Sequence, residues 1–453
     1  MKISKRFKLS TTQIILFGFI IAILIGSLLL ALPVSSASGE SVSYMDALFT
    51  ATSSISVTGL MTMPVATTWS IFGQVVILIM IQIGGLGVVS IMSGIMIGFH
   101  HKMGIRDRIL IQDAFNLNTL SGLGEFIKKV FIGTFFIEGI GALLYMFVFV
   151  PEFGAKGVWI SIFNSVSAFC NAGIDIIGGD SLCGYTQNPM INTVTIIMVI
   201  LGGIGFVVWW DVLRVLKESK GRKKNCFRKL TLHSKIAISA SAFLIVTGAL
   251  CVLAFEYNNP ATIGNYSLGG KIQASLFQSV TTRSAGFCTI PQQNLTDSTA
   301  ILSLLFMFIG GSPVGTAGGI KTVTIAVLIA SAVATIRNKD EVSMFNRAIP
   351  QKAVNKAAAV MSLSLAITLI SMIVLSIVTK ADTFSVMYEA VSASTTVGFS
   401  RGLISTINIW GKIIVIITMY LGRIGPISLL IAFNTRKDNK NIVRNSKEDI
   451  SVG

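Results

Sequence analysis

Residues 392–402 read SASTTVGFSRG. A run of small hydroxyl side chains ends at Gly398, with Phe399 directly behind it. The pattern recurs. SYMDALFTATSSISVTGL, WISIFNSVSAFCNAGI and KIQASLFQSVTTRSAGF register with VMYEAVSASTTVGF when aligned on their glycines. Gly59, Gly173, Gly286 and Gly398 then follow one another at steps of 114, 113 and 112 residues. Phe49, Phe163 and Phe277 stand nine or ten residues before their glycines, and Tyr388 takes that place in the fourth copy. A second feature keeps the same beat: GGLG at 84–87, GGIG at 202–205, GGSP at 310–313 and GRIG at 422–425 follow the four glycines by 24 to 29 residues. Self-similarity at a fixed period is the mark of duplicated structural units.

Composition decides the solvent of these units. Of 453 residues, 52% are apolar and 12% charged, against about 25% charged in soluble proteins, and the mean hydropathy is +0.76. Apolar runs long enough to cross a hydrocarbon core of about 30 Å as helices recur along the chain. The first, Ile14 to Leu32 after MKISKRFK, precedes a cleavage-like PVSSASG. It exceeds the apolar core of a signal peptide, about 7–15 residues, and completes the first copy of the pattern, so it reads as a mature membrane helix. Cys170, Cys183, Cys226, Cys251 and Cys288 are scattered, and the histidines His100, His101 and His233 show no ligand spacing; neither disulfide framework nor metal site follows.

The net charge of +16 belongs to topology rather than to nucleic acid. Lys and Arg gather in MKISKRFK, HHKMGIRDR, KESKGRKKNCFRK, RNKDEVSMFNRAIPQK and TRKDNKNIVRNSKED, while stretches between these clusters, such as 34–68, are nearly free of them. That asymmetry is positive-inside topology, which implies a multi-pass chain with both termini cytoplasmic. Placing every cluster inside forces an even number of crossings between them. The expected fold is an all-α integral membrane protein of four tandem helix–pore-helix–helix repeats, over residues 1–110, 111–228, 229–345 and 346–453, with pseudo-fourfold symmetry about an axis along the membrane normal.

Physics gives the glycine turn a task. The polar stretch before it, about 12 residues, is too short to cross the bilayer and reads as a re-entrant helix. Its C-terminal carbonyls carry the negative end of a helix dipole, which favours a cation beyond them, and the glycine permits backbone that turns carbonyls toward the axis. Irregular backbone at membrane depth must be buried in protein or line a watery cavity. A single such glycine could merely cap a buried half-helix; four in register make a cation-coordinating ring. The filter residues are therefore expected to be Thr58 and Gly59, Asn171, Ala172 and Gly173, Ser284, Ala285 and Gly286, and Thr396, Val397 and Gly398.

TTVGF resembles the opening of a potassium-channel filter signature, in which four loops ring one axis; the other three walls would come from this same chain. The four filter glycines, GGSPVGTAGGIKT and LGRIGP together resemble the Trk/Ktr/HKT superfamily of potassium transporters over essentially the whole length, nearest the membrane subunit of bacterial Ktr systems. The resemblance implies potassium uptake, often sodium-stimulated, and a homodimer with one pore per protomer. It also implies a cytoplasmic ring of nucleotide-binding regulatory subunits. No stretch fits a P-loop or dinucleotide fingerprint: GTAGGIKT lacks the glycine before its lysine. No cofactor is expected in the chain, any nucleotide belongs to a partner, and the transported ion is K+ or Na+. The basic loops suit partner docking, contact with anionic membrane lipids, or topology alone.

Two further features fit this scheme. GGSPVGTAGGIK, 310–321, disfavours helix where the first, second and fourth copies suggest a continuous second helix. It is expected to be a loop under the filter, which the resemblance reads as an intramembrane gate: Gly310, Gly311, Ser312, Gly315, Thr316, Gly318, Gly319 and Lys321. A kinked helix packed through small residues is the alternative. Arg423 replaces a glycine just below the loops, and an ionised group there is by default functional, as a cation barrier or an anchor for the gate, or else as a structural ion pair. Arg283, three residues before Gly286, is expected behind the filter, neutralised by Glu389 or Asp46. Enzymatic chemistry would need clustered ionisable groups, which the membrane segments lack. A sodium-selective or poorly selective cation transporter of the same architecture, and a gradient-coupled solute carrier, are the remaining alternatives.

Overall fold

The computed structural model describes residues 10–87, 123–178, 181–219 and 226–425. The basic clusters at 1–8, 100–108 and 435–449, and half of the one at 217–229, lie outside the described residues. Four long apolar helices stand out: α1 (Thr11–Leu30), α4 (Leu123–Phe153), α8 (Leu232–Glu256) and α12 (Gln351–Val378). Each contains a stretch long and apolar enough to cross a bilayer. They expose large apolar side chains such as Phe147, Phe243 and Ile377, which a lipid solvent tolerates and water does not.

A short helix follows each long one: α2 (Tyr44–Ser56), α5 (Ala155–Phe169), α9 (Leu268–Thr281) and α13 (Thr383–Thr395). Their aromatic anchors Phe49, Phe163, Phe277 and Tyr388 are each 0% exposed, so these helices are fixed by packing rather than by contact with lipid. A third helix then runs in each group: α3 (Ile71–Leu86), α6 (Pro189–Gly203), α10 (Asp297–Phe308) and α14 (Ile409–Ile424). All four start at a side-chain N-cap. Ser70 accepts from the Gly73 amide, Asn188 from Met190 and Ile191, Thr296 from Thr299, and Asn408 from Gly411. These caps satisfy amides that have no partner within the helix.

The continuity expected of the second apolar helix in the first, second and fourth copies, here the third helix of each group, is corrected. Gly87, Gly205 and Gly425 close α3, the turn after α6, and α14 with nearly the same backbone, φ 84, 97 and 83° and ψ 138, 136 and 139°. That conformation is open to glycine and is not helical. After Gly205 the chain resumes as α7 (Phe206–Glu218), turned 97° from α6. In the third group, α10 and α11 (Thr322–Ile336) are separated by residues 309–321. Among the described residues one two-stranded hairpin, β1 (Ser343–Met344) with β2 (Arg347–Ala348), departs from the all-helical expectation.

Contacts between groups follow a cycle. The helix α3 packs on α5, α6 on α9, α10 on α13, and α14 returns to α2. The last contact carries an ion pair, Lys412 Nζ to Asp46 Oδ1 at 2.5 Å. Tyr420 of α14 also donates to the Leu16 carbonyl of α1. The ring of helices thus closes in chain order.

Candidate functional site

The C-termini of α2, α5, α9 and α13 converge. Two positions before each glycine the backbone enters the left-handed region: Val57 at φ 56°, Asn171 at 60°, Ser284 at 65° and Thr396 at 52°. Such a conformation is uncommon for any non-glycine residue and an outlier for a β-branched one such as Val57. The glycines follow at φ 91, 65, 76 and 99°. Two left-handed residues within three positions stop each helix and turn its chain into an irregular strand.

The four strands touch in order. A Cβ added to Gly59 would lie 2.4 Å from the Ala172 carbonyl oxygen, and one on Gly173 2.4 Å from that of Ala285. On Gly286 it would lie 2.5 Å from the Val397 oxygen, and on Gly398 it would meet the Thr58 oxygen. Each glycine therefore admits the carbonyl that precedes the next glycine, and the fourth step returns to the first. Of the residues expected in the filter, Thr58, Ala172, Ala285, Val397 and the four glycines make these contacts, and Asn171, Ser284 and Thr396 are the left-handed residues directly before them. All four glycines also line one cavity of about 430 Å3, together with Leu60, Asp175 and Ser400.

Sequence reasoning missed the braces behind the strands. Ser53 and Ser392 accept from the Gly59 and Gly398 amides at 3.1 Å, and Ser167 from Ile174 at 3.0 Å. All three stand six residues before their glycine, a repeat visible in the aligned stretches. The third copy has Val280 there. Glu138 was also missed, though a lone carboxyl mid-span in α4 is a signal in itself; it accepts from Gln82 Nε2 at 3.2 Å, beside Cys170.

The expected partner of Arg283 is corrected. Its guanidinium donates to the Ser241 carbonyl and hydroxyl at 3.3 and 3.1 Å. Asp46 is taken by Lys412, and Glu389 accepts from the Ser400 hydroxyl at 2.5 Å and the Arg401 amide at 3.0 Å. Arg283 points away from the strands toward α8, where backbone and hydroxyl oxygens replace the carboxylate.

Residues 310–321 form a loop whose neck is closed by the Gly310 amide donating to Ile320 O at 2.9 Å. The loop lies against the residues before the glycines, whereas the cavity lies at the residues after them. Ser312 N donates to Gly203 O at 2.8 Å, Thr316 N to Gly202 O at 3.1 Å, and the Phe206 amide to Val314 O at 2.9 Å. The break after α6 is thus filled by the loop. Thr316 Oγ1 donates to Asn171 Oδ1 at 2.8 Å and lies 3.1 Å from Phe169 O. Gly318 N donates to Ser284 Oγ at 2.8 Å. Gly315 and Gly311 lie against the Gly203 backbone, and Gly319 against Gly310. Within the loop, Ser312 and Thr322 share a hydroxyl bond at 2.9 Å, and Lys321 Nζ donates to Ala317 O at 2.6 Å. Arg423 reaches the loop from α14. It donates to Thr316 O at 2.5 Å and to Gly84 O at the end of α3. Among the described residues no carboxylate pairs with it, so carbonyl oxygens, not an ion pair, hold the charge.

Helices of spanning length around a buried ring of backbone carbonyls define a multi-pass membrane protein of the transporter class. The family described as TrkH, cation transport protein, matches residues 5–444, and the chain belongs to this family. It is 36% identical over 442 residues to Ktr system potassium uptake protein B of Bacillus subtilis, covering 97% of this chain and 96% of that one. It is 37% identical over 448 residues to the potassium/sodium uptake protein NtpJ of Enterococcus hirae, covering 97% of each. The fold matches the crystal structure of the potassium transporter TrkH from Vibrio parahaemolyticus with TM-score 0.72 at 18% identity, over 96% of this chain and 87% of that one.

Proposed function

We propose that this chain is the membrane subunit of a potassium-uptake system. Its four units, over 1–110, 111–228, 229–345 and 346–453, are pseudo-fourfold repeats around one ion path, and α2, α5, α9 and α13 are the pore helices. The observation that carries the reading is the closed cycle in which each glycine admits the carbonyl of the next strand. Carbonyls packed edge to edge without intervening side chains can replace the hydration shell of a monovalent cation. The cavity beyond the glycines is the outer mouth, and residues 310–321 with Arg423 are the gate beneath. A guanidinium satisfied by loop carbonyls holds the gate and also sets a positive charge on the path.

Both termini and the basic loops face the cytoplasm of a bacterial cell, where a ring of nucleotide-binding subunits on a homodimer biases the gate. The chain binds no nucleotide itself; its cargo is K+, with Na+ as a second, stimulating ion. Anionic membrane lipids contact the same basic loops. Only the glycine is common to all four strands, and one relative is named for both potassium and sodium, so sodium transport is the competing reading. Growth of a potassium-uptake-deficient bacterium at low K+, followed by K+ and Na+ uptake into proteoliposomes, tests both. Rescue with K+ preferred supports the proposal; no rescue, with Na+ uptake alone, overturns it.

A further inference from the structure

We propose that Ser284 is a latch through which the filter senses the position of the gate loop, so that moving the gate changes ion affinity as well as access. This rests on the filter and gate assignment above. The Ser284 hydroxyl is 0% exposed and makes two bonds of opposite sense. It accepts from the Gly318 amide at 2.8 Å and donates to the Thr396 carbonyl at 2.8 Å. A hydroxyl can do both at once, and neither a methyl nor a lone acceptor can.

The relay therefore runs from the gate loop, through the third filter strand, to the fourth. Contact at its loop end is tight: a Cβ on Gly318 would collide with Thr396 Oγ1 at 1.8 Å. That buried threonine hydroxyl has no hydrogen-bond partner among the described residues. When the loop is seated, the O–H dipole of Ser284 is held against the Thr396 carbonyl and opposes a cation there. When the loop withdraws, the hydroxyl loses its donor and can turn, which frees the carbonyl. Two loop positions then mean two filters, and coupling of this kind is reciprocal: an ion that prefers the freed carbonyl favours the withdrawn loop.

The test is potassium uptake into proteoliposomes holding wild type, Ser284→Ala and Ser284→Thr, each with and without deletion of residues 314–318. Rate and the K+ concentration for half-maximal uptake are both measured. In wild type the deletion should raise the rate and shift half-saturation to lower K+ by about fivefold, the effect of one hydrogen bond. Ser284→Ala alone should produce that shift and the deletion should add none to it, whereas in Ser284→Thr, which keeps the hydroxyl, the deletion should again shift half-saturation to lower K+. Shifts from Ser284→Ala and the deletion that simply multiply would mean that the serine acts independently of the loop, and would overturn the latch alone. So would a Ser284→Ala protein with wild-type half-saturation. A deletion that leaves the rate unchanged overturns the gate assignment and the latch with it. Should Ser284→Ala not accumulate, Gly318→Ala keeps the serine and expels the loop by collision with Thr396; the same shift is expected, and its absence overturns the latch.

Discussion

At the residue scale the site depends on atoms that are missing. A side chain at Gly59, Gly173, Gly286 or Gly398 must both adopt positive φ and enter space held by a neighbouring carbonyl. Serine at any of the four should raise the K+ concentration for half-maximal uptake about tenfold, which is ~1.4 kcal/mol of lost coordination, and reduce preference over Na+. Four variants with unchanged selectivity in competitive uptake would sink the filter assignment. Arg423 presents the opposite case, a charge present where none is expected. Its carbonyl partners make Arg423→Gln a change in gating rather than in folding: near-normal yield with faster uptake in the absence of any cytoplasmic partner. A variant that does not accumulate would instead mark the arginine as structural. The four glycines and Arg423 could be read from the sequence because each breaks a local rule. The partners of Arg283 could not, since Ser241 lies 42 residues away and Asp46 is claimed by Lys412, 366 residues along the chain.

At the element scale the third helices bear on the proposed gate. Each starts at a polar cap and stops at a glycine or at the loop, so none of these four helices runs straight on past the ring. Replacing the cap Asn408 with Ala should cost about 1 kcal/mol, seen as a lower melting temperature in detergent with selectivity intact. The break at Gly205 has a stronger link to function. A Cβ there would lie 2.4 Å from Pro313 O, so Gly205→Ala should push the loop from its seat and raise basal uptake into vesicles holding this protein alone; an unchanged rate would separate the break from the gate. The sequence shows the loop at 310–321 plainly, because glycine and proline disfavour helix whatever surrounds them. The glycine breaks in the other groups are harder to see, since isolated glycines are common in membrane helices and only φ reveals their use.

Over the whole molecule, stability and function share one closure. Four groups in succession leave an open edge unless the last meets the first, and α14 against α2 with Lys412 and Asp46 makes that contact. Both side chains are largely buried, at 19% and 14% exposure, so Asp46→Asn should cost about 2 kcal/mol, less than a fully buried pair because some solvent remains. Thermal unfolding in detergent should show the loss, and Lys412→Met in the same background should recover part of it. No recovery would mean that apolar packing alone holds the seam.

The sequence by itself determined the solvent, the long apolar helix and the short helix that open each group, the four glycines and their order, and the position of the loop. These follow from composition, period and backbone preference, which are properties of neighbouring residues. Only the tertiary structure decided which carbonyl each glycine admits, that Val57, Asn171, Ser284 and Thr396 turn left-handed before them, and where Arg283 and Arg423 find their oxygens. The relay from Gly318 through Ser284 to Thr396 joins residues 34 and 112 positions apart. Hydrogen bonds across such separations depend on how whole helices pack, and no local pattern encodes them.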